Sequence, residues 1–256
     1  MDLVNVLMLG DVSGAAGMGA LFLGLPQLKK RENVDFVIVN GENAAQGFGI
    51  SIQDYDNMMK MGVDVITSGN HIWQKEEIFQ ILEKSDSILR PLNYPEGVVG
   101  KGWTIKNGIA VVNAEGRYGG LPLIDDPFQR VKEVVLKLRK ETNLIFVDFH
   151  AEHTDEKEAL AFYLDGLVTA VVGTHTHVQT ADEKILPGGT AYITDLGITG
   201  SPDGVIGSEE GKAIERALTQ LPIKSIVKEG RGVIQGLLIT ADSKTGKASR
   251  IKRISV

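Results

Sequence analysis

The sequence predicts a single domain of the α/β class, and three observations lead to that prediction. Short apolar runs recur along the 256 residues, helical patterns lie between several of them, and polar residues that can carry chemistry follow the ends of the runs. Domains of this class reach this length undivided, so one domain is expected over residues 1–256.

The apolar runs have the length and composition of β-strands that are buried on both faces. They cover residues 4–9, 34–39, 63–66, 109–112, 144–149 and 167–172. Near the carboxyl terminus, further strands are expected at 223–227, 233–239 and 248–254, with a turn at 242–246. These late strands follow one another closely, which indicates antiparallel additions to a sheet.

Helices are expected between the strands. The stripe formed by Val131, Val134, Val135 and Leu138 predicts an amphipathic helix over 128–138. Weaker helical patterns cover 54–61 and 206–218. Between the third and fourth apolar runs, residues 89–108 are rich in proline and glycine, which predicts a surface excursion that could cover a site.

Composition excludes several classes of protein. The formal net charge of −6 argues against a broad surface for long nucleic acids. The absence of cysteine excludes disulfides, thiolate metal sites and a cysteine nucleophile. No apolar run reaches the roughly 18 residues that cross a membrane. Because Asp2 stands where a signal peptide carries basic residues, we expect a cytoplasmic protein.

Polar residues that can bind metal ions follow five of the apolar runs. Since the carboxyl ends of parallel strands meet at one edge of a sheet, we expect these side chains to form one site. They are Asp11, Glu42, Asn43, Asn70, His71, His150, His175 and His177. Oxygen and imidazole donors suit divalent transition metals, so the set predicts a metal centre.

Spacing within these motifs supports the prediction. His175 and His177 are two residues apart, and in extended backbone this sends both imidazoles to the same side. Glu42 has two oxygens, which can bridge two cations about 3.5–4 Å apart. Gly69, directly before Asn70, has no side chain and so permits the backbone to come close to other groups of the site. Taken singly, Asp11 is also compatible with a turn residue and Glu42 with a solvated acid.

A competing interpretation of the first loop is a dinucleotide-binding turn, since residues 10–16 read Gly-Asp-Val-Ser-Gly-Ala-Ala. The last glycine of that pattern is replaced by Ala16. No tyrosine of the chain is followed four positions later by lysine, a pairing that short-chain dehydrogenases require. We therefore do not expect a nicotinamide cofactor.

In chain order, Gly10-Asp11, Gly41-Glu42-Asn43, Gly69-Asn70-His71, His150 and the motif from Gly173 to His177 resemble the calcineurin-like metallophosphoesterases. More narrowly, the chain resembles the YmdB-like family of bacterial phosphodiesterases that act on 2′,3′-cyclic nucleotides. Matches at 116–117, 125–128, 147–152 and 194–200 extend the resemblance over most of the sequence.

The resemblance implies a four-layer αββα sandwich of two mixed sheets flanked by helices, forming a single metallophosphoesterase domain. It also implies two metal ions, iron first and manganese second. Asp11, Glu42 and His177 would hold one ion, and Glu42, Asn70, His150 and His175 the other. His71 would face the phosphate as the general acid, with Asn43 beside it. A homo-oligomer is expected from the resemblance alone.

Three positions depart from the wider pattern. Ser13 stands where the superfamily has histidine, a lack that the YmdB-like branch shares. Gln74 stands where aspartate is expected, which would weaken support for His71. His153 stands where a small residue is usual, and is either a spare donor or simply exposed.

The expected reaction is hydrolysis of a 2′,3′-cyclic nucleotide to a 3′-nucleotide. Two metals sharing Glu42 would lower the pKa of a bridging water, giving hydroxide that attacks phosphorus in line, while His71 protonates the departing ribose oxygen. Two alternatives stay open: the same site acting on another phosphate ester, and a noncatalytic regulatory scaffold with the same fold.

Overall fold

The computed structural model describes residues 3–118 and 123–256. Asp2, on which the expectation of no signal peptide rests, lies outside the described residues. The strands are β1 Leu3–Leu9, β2 Asp11–Val12, β3 Phe36–Asn40, β4 Val65–Thr67, β5 Trp103–Lys106, β6 Ile109–Glu115, β7 Leu144–His150, β8 Ala170–Thr174, β9 Lys184–Ile185, β10 Ala191–Ile193, β11 Ile198–Gly200, β12 Val233–Asp242 and β13 Ala248–Ser255. The helices are α1 Gly14–Glu32, α2 Ile52–Lys60, α3 Phe79–Lys84, α4 Pro127–Leu138, α5 Thr154–Tyr163 and α6 Glu210–Thr219, with 3-10 turns at Asn70–Gln74 and Glu76–Ile78.

The described strands form two mixed sheets. In the first sheet the order is β2-β11-β12-β1-β3-β4, with β13 also paired to β12, and β1, β3 and β4 run parallel. The second sheet has the order β5-β6-β7-β8-β10-β9, with a parallel centre from β6 to β10 and antiparallel edges. Each sheet therefore has several strands whose carboxyl ends share one edge.

Alternation along the strands divides the apolar side chains among three cores. In β1, Val6 and Met8 pack between the two sheets, whereas Leu7 and Leu9 pack under helices α1, α2 and α3. A third core lies between the second sheet and helices α4 and α5, where Phe149 is fully buried. The layers run helix, sheet, sheet, helix, which confirms the predicted four-layer sandwich.

Helix α4 forms where the periodicity predicts it. The Asp126 side chain accepts a hydrogen bond from the backbone N–H of Phe128 at 2.9 Å, and Pro127 occupies the first helical turn, so both amino-terminal signals are present. The predicted stripe from Val131 to Leu138 is buried against the second sheet.

Helix α1 is absent from the sequence prediction because it contains Pro26 and several glycines, which are poor helix formers. Tertiary packing overrides that preference. A Cβ atom on Gly17 would lie 2.2 Å from the carbonyl oxygen of Thr199, so the glycine allows α1 to lie directly on β11. The loop that resembles a dinucleotide-binding turn is thus the short strand β2 leading into this helix.

Three expectations for local structure are wrong. Residues 223–227 form no strand, and Ile226 is exposed there instead of joining a sheet. The helix expected at 206–218 begins only at Glu210, because Ile206 and Gly207 have φ values of 49° and 80°. The excursion at 89–108 is not wholly on the surface, since Leu89 is buried and Trp103–Lys106 forms the edge strand β5.

Among the described residues, no helix combines the length and the apolar character needed to cross a membrane.

Candidate metal centre

The predicted donors lie at the carboxyl ends of strands in both sheets or in the segments that directly follow them. Asp11 lies in β2, directly after β1, while Glu42 follows β3 and Asn70 follows β4. His150 is the last residue of β7 in the second sheet, and His175 and His177 follow β8. The site therefore lies at the edge where the two sheets face each other.

Glu42 is at the centre of the contacts. Its Oε1 atom lies 3.1 Å from Nε2 of His150, and that nitrogen lies 2.9 Å from Nδ1 of His175. One ligand atom from each of these three residues can be chosen so that all lie within 4.8 Å of one another. Two imidazoles and a buried carboxylate at this separation are a suitable partial ligand set for a divalent metal.

Two buried side-chain oxygens among the donors have no hydrogen-bond partner within the part of the chain that the structure describes. They are Oδ1 of Asp11 and Oδ1 of Asn70. The Asp11 oxygen lies 3.8 Å from Nε2 of His177 and 3.9 Å from Nδ1 of His150. A buried acceptor without a partner costs about 1–3 kcal/mol, so such atoms call for a compensating interaction. Both oxygens and the nearby imidazoles have the chemistry of metal ligands, and the residues present fit a metal centre.

Gly69 allows its loop to lie close to the side chains of His150 and Glu42. A Cβ atom at this position would lie 2.1 Å from Cδ2 of His150 and 2.4 Å from Oε2 of Glu42. Any larger residue would therefore push apart the loop that carries Asn70 and the strand end that carries His150.

The His175–His177 loop does not have the extended backbone that the sequence prediction assumed. His175 has a φ of 104° and His177 a φ of 63°, conformations that are unfavourable for side chains with a Cβ atom. As a result the two rings separate. His175 contacts His150, whereas Nε2 of His177 lies 3.1 Å from Nδ2 of Asn43.

Buried carboxylates hold this strained loop. Oδ2 of Asp11 accepts the backbone N–H of His175 at 3.1 Å, and Oδ2 of Asp195 accepts that of Thr176 at 3.1 Å. Asp195 is itself paired with Nζ of Lys157 at 2.8 Å, and both side chains are fully buried. The loop conformation thus depends on a buried ion pair that lies behind it.

Burial and the neighbouring charges shift the pKa values of Asp11, His150 and His175 in different directions. Burial raises the pKa of Asp11 to about 6, although His177 and His150 act against this. Burial alone would lower the pKa of His150, but Glu42 and Asp11 outweigh it and raise that pKa to about 10. By contrast, burial and the neighbouring His150 lower the pKa of His175 to about 4, which leaves its ring neutral and able to bind a metal.

A buried polar network orients His150. Asp148 accepts hydrogen bonds from Thr67, from Asn40 at 3.1 Å and from the hydroxyl of Thr174 at 2.7 Å. Because the single hydroxyl proton of Thr174 goes to Asp148, its oxygen accepts the Nδ1–H of His150 at 2.9 Å. His150 is thereby held with Nε2 toward Glu42 and His175, as a metal ligand requires.

His71 is oriented by Asn43. The amide nitrogen of Asn43 donates to Oε1 of Glu42 at 3.2 Å, so its oxygen accepts from Nδ1 of His71 at 2.8 Å. Burial lowers the pKa of His71, with Glu42 acting in the opposite direction. The ring of Phe48 lies beside His71, with 5.1 Å between the ring centroids.

The departures from the family pattern have simple structural outcomes. Gln74 is exposed, and His71 receives its support from Asn43 instead. The side chain of His153 is 49% exposed and packs edge-on against Tyr118 at 5.7 Å, so it is separate from the donor cluster. Ser13 is buried beside the site.

Several buried supports of the site have no role in the sequence prediction. Asp148 carried a detectable signal, because it lies two residues before His150 in a buried strand and so shares its face. The pairing of Lys157 with Asp195 carried none, since the two residues are 38 positions apart and Lys157 lies in α5, a helix that the sequence did not predict. Glu115, opposite His150 in the β6–β7 pairing, is also buried, and neither of its carboxylate oxygens has a hydrogen-bond partner among residues 3–118 and 123–256.

A cleft of about 730 Å³ opens onto the donor cluster. One wall carries Glu42, Asn43, Phe48 and His71. The segment between β11 and β12 also lines the cleft, through Ile206, Pro222, Ile223 and Lys224. The cleft is large enough for a small ligand to reach the donors.

The chain is similar in sequence and structure to several known proteins. Residues 7–254 match the family described as YmdB-like protein. The 2′,3′-cyclic-nucleotide 2′-phosphodiesterase of Bacillus subtilis is 46% identical over 257 residues, covering 99% of this chain and 97% of that protein. A crystal structure of a phosphatase from Mycoplasma pneumoniae superposes with a TM-score of 0.93 at 34% identity, covering 100% of this chain and 94% of the other. A Thermus thermophilus structure gives 0.90 at 37% identity, with 99% of each chain covered.

Proposed function

The chain belongs to the family of YmdB-like proteins and is a hydrolase of the phosphoesterase type, and from that premise we propose that it hydrolyses 2′,3′-cyclic nucleotides to 3′-nucleotides at a centre of two metal ions. The name of the Bacillus subtilis relative supports this substrate. The observation that carries the metal centre is the convergence of Glu42, His150 and His175, together with the partnerless oxygens of Asp11 and Asn70.

The donors divide into two overlapping sets. Asp11, Glu42 and His177 would hold one ion, and Glu42, Asn70, His150 and His175 the other. Bound there, the ions supply an activated water and offset the negative charge that grows on the phosphoryl oxygens. The identity of the ions as iron or manganese, a cytoplasmic location, a homo-oligomeric assembly and a single domain over residues 1–256 remain predictions.

The side chains of the chain itself perform the remaining steps. Asn43 holds His71 through Nδ1, which leaves Nε2 as the nitrogen that can give a proton to substrate. An anionic phosphate beside the ring favours the protonated imidazolium. As water attacks phosphorus, the bond from phosphorus to O2′ breaks, its electron pair stays on O2′, and O2′ takes the proton from His71. The product keeps its phosphate on O3′.

Product analysis with 2′,3′-cyclic AMP and 3′,5′-cyclic AMP, with metal supplied, tests this function. We expect 3′-AMP from the first compound and no turnover of the second. Equal hydrolysis of both, or hydrolysis of neither, would contradict the substrate assignment. Asn70→Ala and His150→Ala test the site, because normal hydrolysis of bis-p-nitrophenyl phosphate by either variant would exclude its residue as a required ligand.

A phosphatase acting on monoesters is the second candidate, favoured by the structural match to a Mycoplasma pneumoniae phosphatase. Turnover of p-nitrophenyl phosphate well above that of 2′,3′-cyclic AMP would support it over the diesterase.

A further inference from the structure

Phe48 is an aromatic residue that serves none of the three apolar cores found among the described residues. It is half-buried and lines the cleft beside the donor cluster. Gly47 and Gly49 flank it with φ values of 86° and 80°, so the chain makes a tight glycine-dependent turn that presents this ring. An aromatic side chain displayed at a reactive cleft is suited to contact a ligand.

A lysine and several apolar side chains share the cleft with the ring of Phe48. Nζ of Lys224 lies over the ring, 5.5 Å from its centroid, and this lysine is exposed on a flexible stem that can move aside. Ile206, Pro222 and Ile223 supply further apolar surface to the same cleft. The cleft therefore offers an aromatic ring and apolar side chains to a flat ligand, and a nucleobase has this shape.

The position of Phe48 relative to His71 carries a further consequence. In a 2′,3′-cyclic nucleotide the base is attached to C1′, the neighbour of C2′, so the base lies on the O2′ side of the phosphate. A group that protonates O2′ and a group that stacks on the base must then be neighbours. The rings of His71 and Phe48 meet this condition, with centroids 5.1 Å apart.

We propose that Phe48 is the platform on which the nucleobase stacks, and that this stack selects the bond to O2′ as the one that breaks. The inference rests on the proposed function, and it makes Phe48 a residue that determines both affinity and regiochemistry. With the base on Phe48, O2′ faces His71 and takes its proton, and water supplies the oxygen that phosphorus gains. Because every base has a π face, the platform accepts purines and pyrimidines alike.

The test compares Phe48→Leu, which keeps apolar bulk, with Phe48→Tyr, which keeps the ring. Each is assayed on 2′,3′-cyclic AMP and on the methyl riboside 2′,3′-cyclic phosphate, which has no base. For Phe48→Leu we expect kcat/KM on 2′,3′-cyclic AMP to fall roughly 5- to 150-fold, the range for loss of one base stack. The affinity for 3′-AMP, measured by calorimetry, should fall by a similar factor. Phe48→Tyr should keep both properties.

Regiochemistry gives an independent readout. We expect wild type to give 3′-AMP, Phe48→Leu to give a mixture of 2′-AMP and 3′-AMP, and the base-free substrate to give mixed products with either protein. Pure 3′-phosphate from the base-free substrate, or from Phe48→Leu, would refute the selection of the O2′ bond.

The base-free substrate also separates stacking from an effect on His71. Its kcat/KM should be the same for wild type and Phe48→Leu, and an equal loss on both substrates would refute the platform and make Phe48 a support for the His71 ring. Unchanged affinity of Phe48→Leu for 3′-AMP would refute it as well. Failure of wild type to hydrolyse either cyclic phosphate would instead contradict the proposed function, and the 3′-AMP measurement would still decide whether Phe48 binds a base.

Discussion

Replacing Thr174 by valine tests the network that orients His150. Thr174 is fully buried, and its hydroxyl donates to Asp148 at 2.7 Å while accepting from His150 at 2.9 Å and from Asn40 at 3.2 Å. One donor proton and two lone pairs are therefore all in use. Valine has nearly the same shape, so the change removes three hydrogen bonds without creating a cavity.

The expected loss of unfolding free energy follows from the hydrogen-bonding groups that lose the Thr174 hydroxyl as a partner. A hydrogen bond to a charged group contributes about 1.5–3 kcal/mol, and a buried donor left without a partner costs about 1–3 kcal/mol. We expect Thr174→Val to lower the free energy of unfolding by about 3 kcal/mol. For a chain of 256 residues this corresponds to a Tm lower by roughly 6–12 °C. Loss of a group that orients a metal ligand lowers metal affinity by about 10- to 100-fold.

Urea denaturation of the metal-free protein measures the first quantity, and calorimetric titration with manganese measures the second. Thr174→Ser is the matched control, because it keeps the hydroxyl and should keep most of the metal affinity. A folded Thr174→Val protein that binds manganese as tightly as wild type would refute the role given to this network.

Four further outcomes are expected. Lys157→Met should lower the free energy of unfolding by about 3–5 kcal/mol in urea denaturation, because it leaves the charge of Asp195 buried and unpaired. The control Lys137→Met breaks an exposed ion pair and should lower it by less than about 1 kcal/mol. Equal losses for the two variants would contradict the importance of the buried pair. Manganese at 100 times its dissociation constant should stabilise protein that a chelator has freed of metal by about 2.7 kcal/mol. At the same manganese concentration, Asn70→Ala should show a smaller rise in Tm in a thermal melt. An identical rise would count against Asn70 as a ligand. Burial raises the pKa of Glu115 from 4.5 to about 7, so the folded state binds the proton more tightly and the free energy of unfolding falls as the pH rises between these values. In metal-free protein, Glu115→Gln should remove up to about 3 kcal/mol of this fall. Parallel curves of unfolding free energy against pH for the two proteins would contradict the raised pKa. His153→Ala should leave hydrolysis of bis-p-nitrophenyl phosphate within about two-fold of wild type, because its side chain is exposed, and a large loss would bring it into the site.

Much of the fold could be predicted because apolar runs and helical periodicity report burial directly. Strand β7 and helix α4 lie within a residue or two of the predicted limits. Helix α1 could not be predicted, since its glycines and Pro26 disfavour a helix locally. The need for glycine at position 17 is explained only by the close contact with β11, which the sequence does not show. The segment 223–227 has strand-like composition, but in the structure its residues line two clefts instead of pairing with a sheet.

For the candidate site, residue type and position after strands were sufficient to bring the donors together in one prediction. The backbone at His175 and His177 was beyond that reasoning, because positive φ in a histidine is stabilised by distant carboxylates rather than by local sequence. Phe48 was missed for a similar reason. An aromatic residue in a glycine-rich loop gives no sign of whether it packs in a core or faces a cleft until the structure is known.

The position of the donors between the two sheets has a mechanical consequence. Glu42 follows a strand of the first sheet, whereas His150 ends a strand of the second, and the two are more than a hundred residues apart in the chain. An ion held by both would cross-link the two halves of the folded sandwich, so that separating them would require breaking its bonds to one set of ligands. Amide hydrogens at the carboxyl edges of β3 and β7 would then exchange together, slowly with the ion bound and faster after chelation.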